Sequence, residues 1–136
     1  MVSILGPTAY LGEGRMAEIL LVDDLEDVRK TIGAMLKRGG HKVTPAADGI
    51  KAIALLKTQR FDLVVTDILM PDGDGTEVIM FLDKMPNRPR VVAMSGGSSL
   101  LSPDLALRLA RAKADAILTK PFESTELMAT VGRLLG

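Results

Sequence analysis

Four places in the chain combine a chemically capable side chain with the end of a short apolar run. ILLV is followed by Asp23-Asp24, LVVT by Asp67, VVAM by Ser95 and, one residue on, AIL by Lys120. Three clustered carboxylates repel one another unless a cation sits among them, and their hard oxygens suit Mg2+. Mg2+ keeps several waters and is typically completed by phosphate oxygens. Ser95 can donate a hydrogen bond to a phosphoryl oxygen, and Lys120 can neutralise its charge as a point cation. A carboxylate so placed can also be a nucleophile that forms an acyl phosphate, with metal and lysine stabilising the charge of in-line transfer. Taken singly, each residue has a plainer use. Asp23 or Asp24 could cap a helix, Ser95 before Gly96-Gly97 could be a turn hydroxyl, and Lys120 could be an exposed lysine. Convergence on one place is what separates the two accounts.

The elements that must position these residues follow from the hydrophobic pattern. Runs of strand length occur at Ile19–Val22, Lys42–Pro45, Leu63–Thr66, Val91–Met94 and Ala116–Leu118, with helical spacing between them. Leu25, Val28, Ile32, Met35 and Leu36 form one helical stripe, stopped by Gly39-Gly40. Asp48 can cap a second helix through Lys57, and Asp74 a third carrying Val78, Ile79 and Leu82. Ser102-Pro103 is an N-cap and first-turn signal for a fourth helix, with Leu105 and Leu109 on one side. A fifth follows Pro121-Phe122 and uses Leu127, Val131 and Leu134. Five strands alternating with five helices imply a parallel sheet covered on both faces, a doubly wound α/β domain. In such a sheet ligands bind beyond the carboxyl ends of the strands, where Asp23, Asp24, Asp67, Ser95 and Lys120 would meet.

That placement sorts the five carboxylates of FDLVVTDILMPDGDGTE, residues 61–77. Asp67 stands at the working end. Asp62 begins the strand, at the wrong end, and reads as a solvated turn residue. Asp72 and Asp74 flank glycines after Pro71, so turn formation and helix capping explain them. Glu77 reads as helix surface, and the spacing fails the pattern of a calcium loop.

Composition narrows the function classes further. A chain of 136 residues, 47% hydrophobic and 25% charged, suits one globular domain. Seventeen basic and seventeen acidic residues give no net charge, and there is no basic run, which argues against direct nucleic-acid binding. The absence of cysteine excludes disulfides, thiolate zinc sites and cysteine nucleophiles, and fits a reducing cytoplasm. The single histidine, His41, rules out multi-histidine metal clusters and reads as a surface or core-edge residue. No apolar run approaches the roughly 20 residues needed to span a bilayer. The stretch MVSILGPTAYLGEGR lacks the features of a signal peptide. Residues 1–16 read as a flexible extension, a linker remnant or a cloning artefact, with Met16 a candidate natural start and the organised domain spanning 17–136. The methionines, among them Met35, Met70 and Met80, read as packing.

ILLVDD, TDILMPDGDG, MSG and LTKPF, in this order and spacing, closely resemble the receiver domain of two-component response regulators over about residues 17–135. The resemblance implies a flavodoxin-like (βα)5 fold with a five-stranded parallel sheet in the order 2-1-3-4-5. It implies that Asp67 accepts phosphate from a histidine kinase or histidine phosphotransfer protein. Asp23 and Asp24 would hold Mg2+, aided by Asp67 and the backbone carbonyl of Leu69. Ser95 would move onto the phosphoryl group, Gly96 would contact it, and Lys120 would pair with it, followed by a cis Lys120–Pro121 bond. Ser95 and the residue three before the lysine would form the switch. Receivers usually carry Tyr or Phe there, whereas this chain has Ile117, which cannot expose a ring or hydroxyl. The usual partner face is helix four, strand five and helix five. Leu101, Leu105, Leu107 and Leu109 either extend it or belong to the core.

The expected function is therefore a cytoplasmic phosphoacceptor that signals to a downstream protein effector. It would be no enzyme beyond its own aspartyl phosphorylation and dephosphorylation. Since the chain stops at Gly136, a stand-alone role is the expectation, with a receiver excised from a larger regulator or hybrid kinase as the alternative. A phosphorylation-independent interaction module, suggested by Ile117, is a further one. A Mg2+-dependent phosphohydrolase would commonly want Asp-x-Asp at the first strand's end, where this chain has Asp23-Asp24-Leu25. A dinucleotide site would want G-x-G-x-x-G there, which is missing.

Overall fold

Strands with no polar face must be covered on both sides, and that requirement organises the molecule. The computed structural model describes residues 16–68, 75–95 and 113–136. The elements in chain order are β1 (Glu18–Val22), α1 (Glu26–Arg38), β2 (Lys42–Ala46), α2 (Gly49–Thr58), β3 (Leu63–Asp67), α3 (Gly75–Asp83), β4 (Arg90–Ser95), β5 (Ala116–Thr119) and α4 (Ser124–Leu135). The strands form one sheet in the order β2-β1-β3-β4-β5, and every pairing is parallel. The expected fourth helix at Ser102-Pro103 and the Leu101, Leu105, Leu107 and Leu109 set lie outside the described residues. So do Leu69, Met70, Asp72, Asp74, Gly96 and residues 1–15 of the proposed extension.

Period-two alternation divides the sheet into two cores. Leu20, Val22, Val64, Val91 and Ala93 point to one side, where Ala52 and Leu56 of α2 and Val78, Ile79 and Leu82 of α3 cover them. Ile19, Leu21, Leu63, Val65, Val92 and Met94 point to the other, against Ile32 and Leu36 of α1 and Leu127 and Val131 of α4. β3 is buried at all five positions, as a central strand covered twice must be. Pro45 sits in β2, which pairs only with β1, so its missing N–H costs no ladder bond on the open side.

The chain enters the sheet at Ala17, whose N–H donates to Nδ1 of half-buried His41 at 3.1 Å and whose carbonyl accepts from Lys42. Acceptance through Nδ1 requires the neutral ring, and burial lowers the His41 pKa accordingly. Asp48 caps α2, accepting from the Lys51 N–H at 2.8 Å. Two sequence readings need correction. Leu25 is not part of the buried stripe of α1: it occupies the N-cap position and is 55% exposed. Asp62 is more than a solvated turn residue. Its carboxylate accepts from the Glu18 N–H at 2.8 Å, extending the β1–β3 pairing ahead of its first pair, Ile19 and Leu63. Asp115 does the same for β4, accepting from the Val91 N–H at 2.8 Å.

The stop signal at Gly39-Gly40 has a defined geometry. The His41 N–H bonds to the Leu36 carbonyl and the Gly40 N–H to the Lys37 carbonyl, the paired bonds of a Schellman motif. Gly40 takes φ +93°, a conformation an L side chain adopts only with strain, although nothing crowds its missing Cβ. Gly40→Ala is therefore expected to destabilise the domain by about 1 kcal/mol, while Gly40→Asn costs less. Urea midpoints of the two variants against wild type check this.

Candidate functional site

The sheet order alone brings the expected residues close. β1 and β3 are neighbours, so Asp23, directly after β1, lies beside Asp67, the last residue of β3. β2 flanks β1 on its other side, which makes the β1–β3 boundary the point where strand order reverses. Ser95 ends β4, one residue beyond Met94, the partner of Asp67. Lys120 follows β5 and prolongs its pairing, its N–H donating to the Ser95 carbonyl at 2.7 Å. β5 is two strands from β3, about 10 Å at ordinary spacing, so only a long side chain can return to Asp67. The lysine does so.

Its ammonium lies 2.7 Å from Oδ2 of Asp23 and 3.2 Å from Oδ2 of Asp67. Asp23 is fully buried, Asp67 is 6% exposed, and Asp24 is more open to solvent. Burial by itself would lower the Lys120 pKa. Its hydrogen bond to Asp23, the charges of Asp67 and Asp23 and the bond to Asp67 outweigh that effect, and the net shift is upward. The two carboxylates thus favour the charged form of Lys120. The other oxygen of Asp23 accepts from the Leu25 N–H at 2.9 Å. Asp23 therefore shapes the turn that leads into α1 but does not occupy its N-cap, which is Leu25. The Asp67 carbonyl accepts from the buried hydroxyl of Thr66 at 3.0 Å, which fixes the backbone at the strand end.

Asp23, Asp24 and Asp67 each offer a carboxylate oxygen, and these oxygens lie within 4.8 Å of one another. Around an octahedral Mg2+ adjacent ligands stand about 3 Å apart and opposite ones about 4 Å, so these three oxygens would have to draw slightly closer together to hold that ion. Charge agrees. Three formal negative charges against the one positive charge of Lys120 leave two, which a divalent cation balances.

Ile117, in the strand beside Ala93, is half-buried and packs against the core on the α2–α3 side. Ser95 is half-buried. The Lys120–Pro121 bond is cis. Leu69 and Gly96 lie outside the described residues. Sequence reasoning missed Arg29 of α1, whose Nη1 donates to the Asp23 carbonyl at 2.7 Å. Its position four residues past the N-cap gave no signal, because a bond to a main-chain carbonyl leaves no mark in residue type. Asp62 and Asp115 stand at the opposite ends of the strands, away from the cluster. Among the described residues no helix is long and apolar enough to cross a membrane.

Comparison with known proteins places this arrangement. The response regulator receiver domain family matches residues 19–132. The transcriptional regulatory protein PrrA of Mycobacterium tuberculosis is 38% identical over 117 residues, covering 86% of this chain and 49% of PrrA. The gliding motility regulatory protein of Myxococcus xanthus is 35% identical over 123 residues, covering 90% of this chain and 16% of that protein. The chain thus spans half or less of the length of these relatives. Among solved structures, the receiver domain of a Pseudomonas aeruginosa sensor histidine kinase, with a magnesium ion coordinated in its active site cleft, is 32% identical with a TM-score of 0.75, covering 89% of this chain and 98% of that one. A CheY-like receiver domain protein from Methanospirillum hungatei is 26% identical with a TM-score of 0.79, covering 88% and 94%. With the sheet order and the acidic cleft already in place, these matches settle the family: the chain belongs to the response regulator receiver domains of two-component signalling.

Proposed function

We propose that the domain is a phosphoacceptor in which Asp67 takes a phosphoryl group from a phosphohistidine on a histidine kinase or histidine phosphotransfer protein. The observation that carries this reading is the Lys120 ammonium bridging Asp23 and Asp67 beside Asp24. One carboxylate oxygen of Asp67 attacks phosphorus. The new O–P bond forms as the donor's P–N bond breaks, and the electron pair leaves on the imidazole nitrogen. Asp23, Asp24 and Asp67, with the Leu69 carbonyl, are the groups that would hold Mg2+. When bound, Mg2+ supplies charge neutralisation for the phosphoryl oxygens.

The residues of the chain do the rest. Lys120 holds Asp67 in place and offers a fixed positive charge to the incoming group. Ser95 donates its hydroxyl to a phosphoryl oxygen and Gly96 its backbone. Phosphorylation adds roughly −1.5 to −2 charges to a buried strand end, and that charge biases the neighbouring surface between two arrangements. Ile117 transmits the change by packing, because its side chain has no ring or hydroxyl to expose. The readout is a change in affinity for a protein effector in the cytoplasm. The domain acts on no external substrate. Both a stand-alone regulator and a receiver within a larger regulator or hybrid kinase are consistent with relatives that are mostly longer than this chain.

Intact-protein mass after incubation with acetyl phosphate tests the reading. One phosphoryl adduct is expected in wild type with Mg2+, and none without the metal or in Asp67→Asn. A folded, Mg2+-binding protein that gains no adduct would count against it.

Lys120 generates a separate prediction in metal-free buffer. With its pKa raised in the fold, its contribution is complete below the unfolded value of 10.5 and is lost as pH rises through the higher folded value. Lys120→Met should lose about 1.5–3 kcal/mol at neutral pH. The gap to wild type in urea midpoints should stay constant up to about pH 10 and narrow above it.

A further inference from the structure

Asp24 is the least buried member of the acidic cluster, yet its place is set from both sides. The peptide that follows it is held by its N–H, which Leu25 donates to Oδ1 of Asp23 at 2.9 Å. The peptide that precedes it is held by its carbonyl, that of Asp23, which accepts from Nη1 of Arg29 at 2.7 Å. Asp23 in turn is anchored by its own N–H to the Ala46 carbonyl at 3.2 Å and by its carboxylate to Lys120. With both flanking peptide planes pinned, the backbone dihedrals of Asp24 are pinned as well.

Arg29 is suited to this task by where it stands. Its N–H closes the first turn of α1 onto the Leu25 carbonyl at 3.0 Å, so helix and turn are tied at main chain and side chain together. It lines a groove of about 360 Å³ between α1 and β2, with Leu21, Gly33, Val43 and Pro45. An apolar stem there directs the guanidinium toward the strand end. The bond is charge-assisted, stronger than a neutral donor would give.

We infer that Arg29 is a positioning residue for the acidic site: by clamping the Asp23–Asp24 peptide it presents the Asp24 carboxylate in the geometry that Mg2+ binding needs. The inference rests on the phosphoacceptor reading and concerns the free energy of metal binding rather than transfer itself. The charge of Arg29 taken alone predicts the opposite, since a nearby cation repels Mg2+ and its removal would tighten binding.

The test is Mg2+ affinity by calorimetry, with thermal unfolding in parallel, for wild type, Arg29→Met and Arg29→Lys. Methionine keeps the stem in the groove but removes donor and charge. Arg29→Met is expected to bind Mg2+ about tenfold more weakly, the usual cost of losing a group that orients metal ligands, while its unfolding midpoint moves by only a few degrees. Arg29→Lys, which keeps one donor, should recover most of the affinity and remain about threefold weaker than wild type. Equal or tighter binding by Arg29→Met would overturn the inference. If Arg29→Met does not fold, Arg29→Lys decides alone: weaker binding supports the clamp, unchanged or tighter binding overturns it. A wild-type protein that binds no Mg2+ would overturn the phosphoacceptor reading and this inference with it. Weaker binding in the variants with no adduct in wild type would sink the reading and leave the clamp standing.

Discussion

A lysine ammonium held between two buried carboxylates is the interaction on which the site depends. Asp23 and Asp67 come together because β1 and β3 are adjacent, and two acids so close and so little exposed would repel each other strongly. Lys120 offsets part of that repulsion, and with Asp24 counted the three carboxylates keep two formal negative charges. The remaining deficit suits a divalent cation and, on the proposed chemistry, a phosphoryl group bound against it. The fold supplies the geometry, and the charge balance favours a cation among the three acids. Neither alone would define a function.

The same side chain is used in opposite ways at the two edges of the sheet. At the amino ends of the strands Asp62 and Asp115 accept from backbone N–H groups that the ladder leaves over, and Arg88 and Arg90 pair with Asp115 at 3.5 and 3.6 Å. Those acids are partnered and complete. At the carboxyl ends Asp23, Asp24 and Asp67 cluster together, and among the described residues the Lys120 ammonium bridges Asp23 and Asp67. Position in the sheet, not residue type, separates the carboxylates that cap strands from those that cluster at the ligand-binding edge.

Much of this was readable from the chain, and for a physical reason. Two-sided burial makes ILLV, LVV and VVAM continuous apolar runs, so the strands announced themselves, and the residue after each run falls at the ligand-binding edge by topology. That rule pointed to the strand ends where the structure brings Asp23, Asp67 and Lys120 together, although Lys120 and Asp23 are 97 positions apart. It also set Asp62 aside. Contacts made to the main chain escaped it. The Arg29 clamp, the Asp62 and Asp115 strand caps and the ring nitrogen of His41 that accepts from Ala17 all involve backbone partners. Any residue can supply a carbonyl or an N–H, so such partners leave no pattern of types or spacing. Leu25 misled for a related reason: its spacing fits the helical stripe, but the turn shaped by Asp23 places it before the first helical residue.

The central claim is that one carboxylate among these acids forms the acyl phosphate. Borohydride reduction of the phosphorylated protein converts an aspartyl phosphate to homoserine, and peptide mapping then locates it. The account predicts homoserine at position 67 alone. Homoserine at position 23 or 24, or phosphorylated protein with no reducible acyl phosphate, would contradict it.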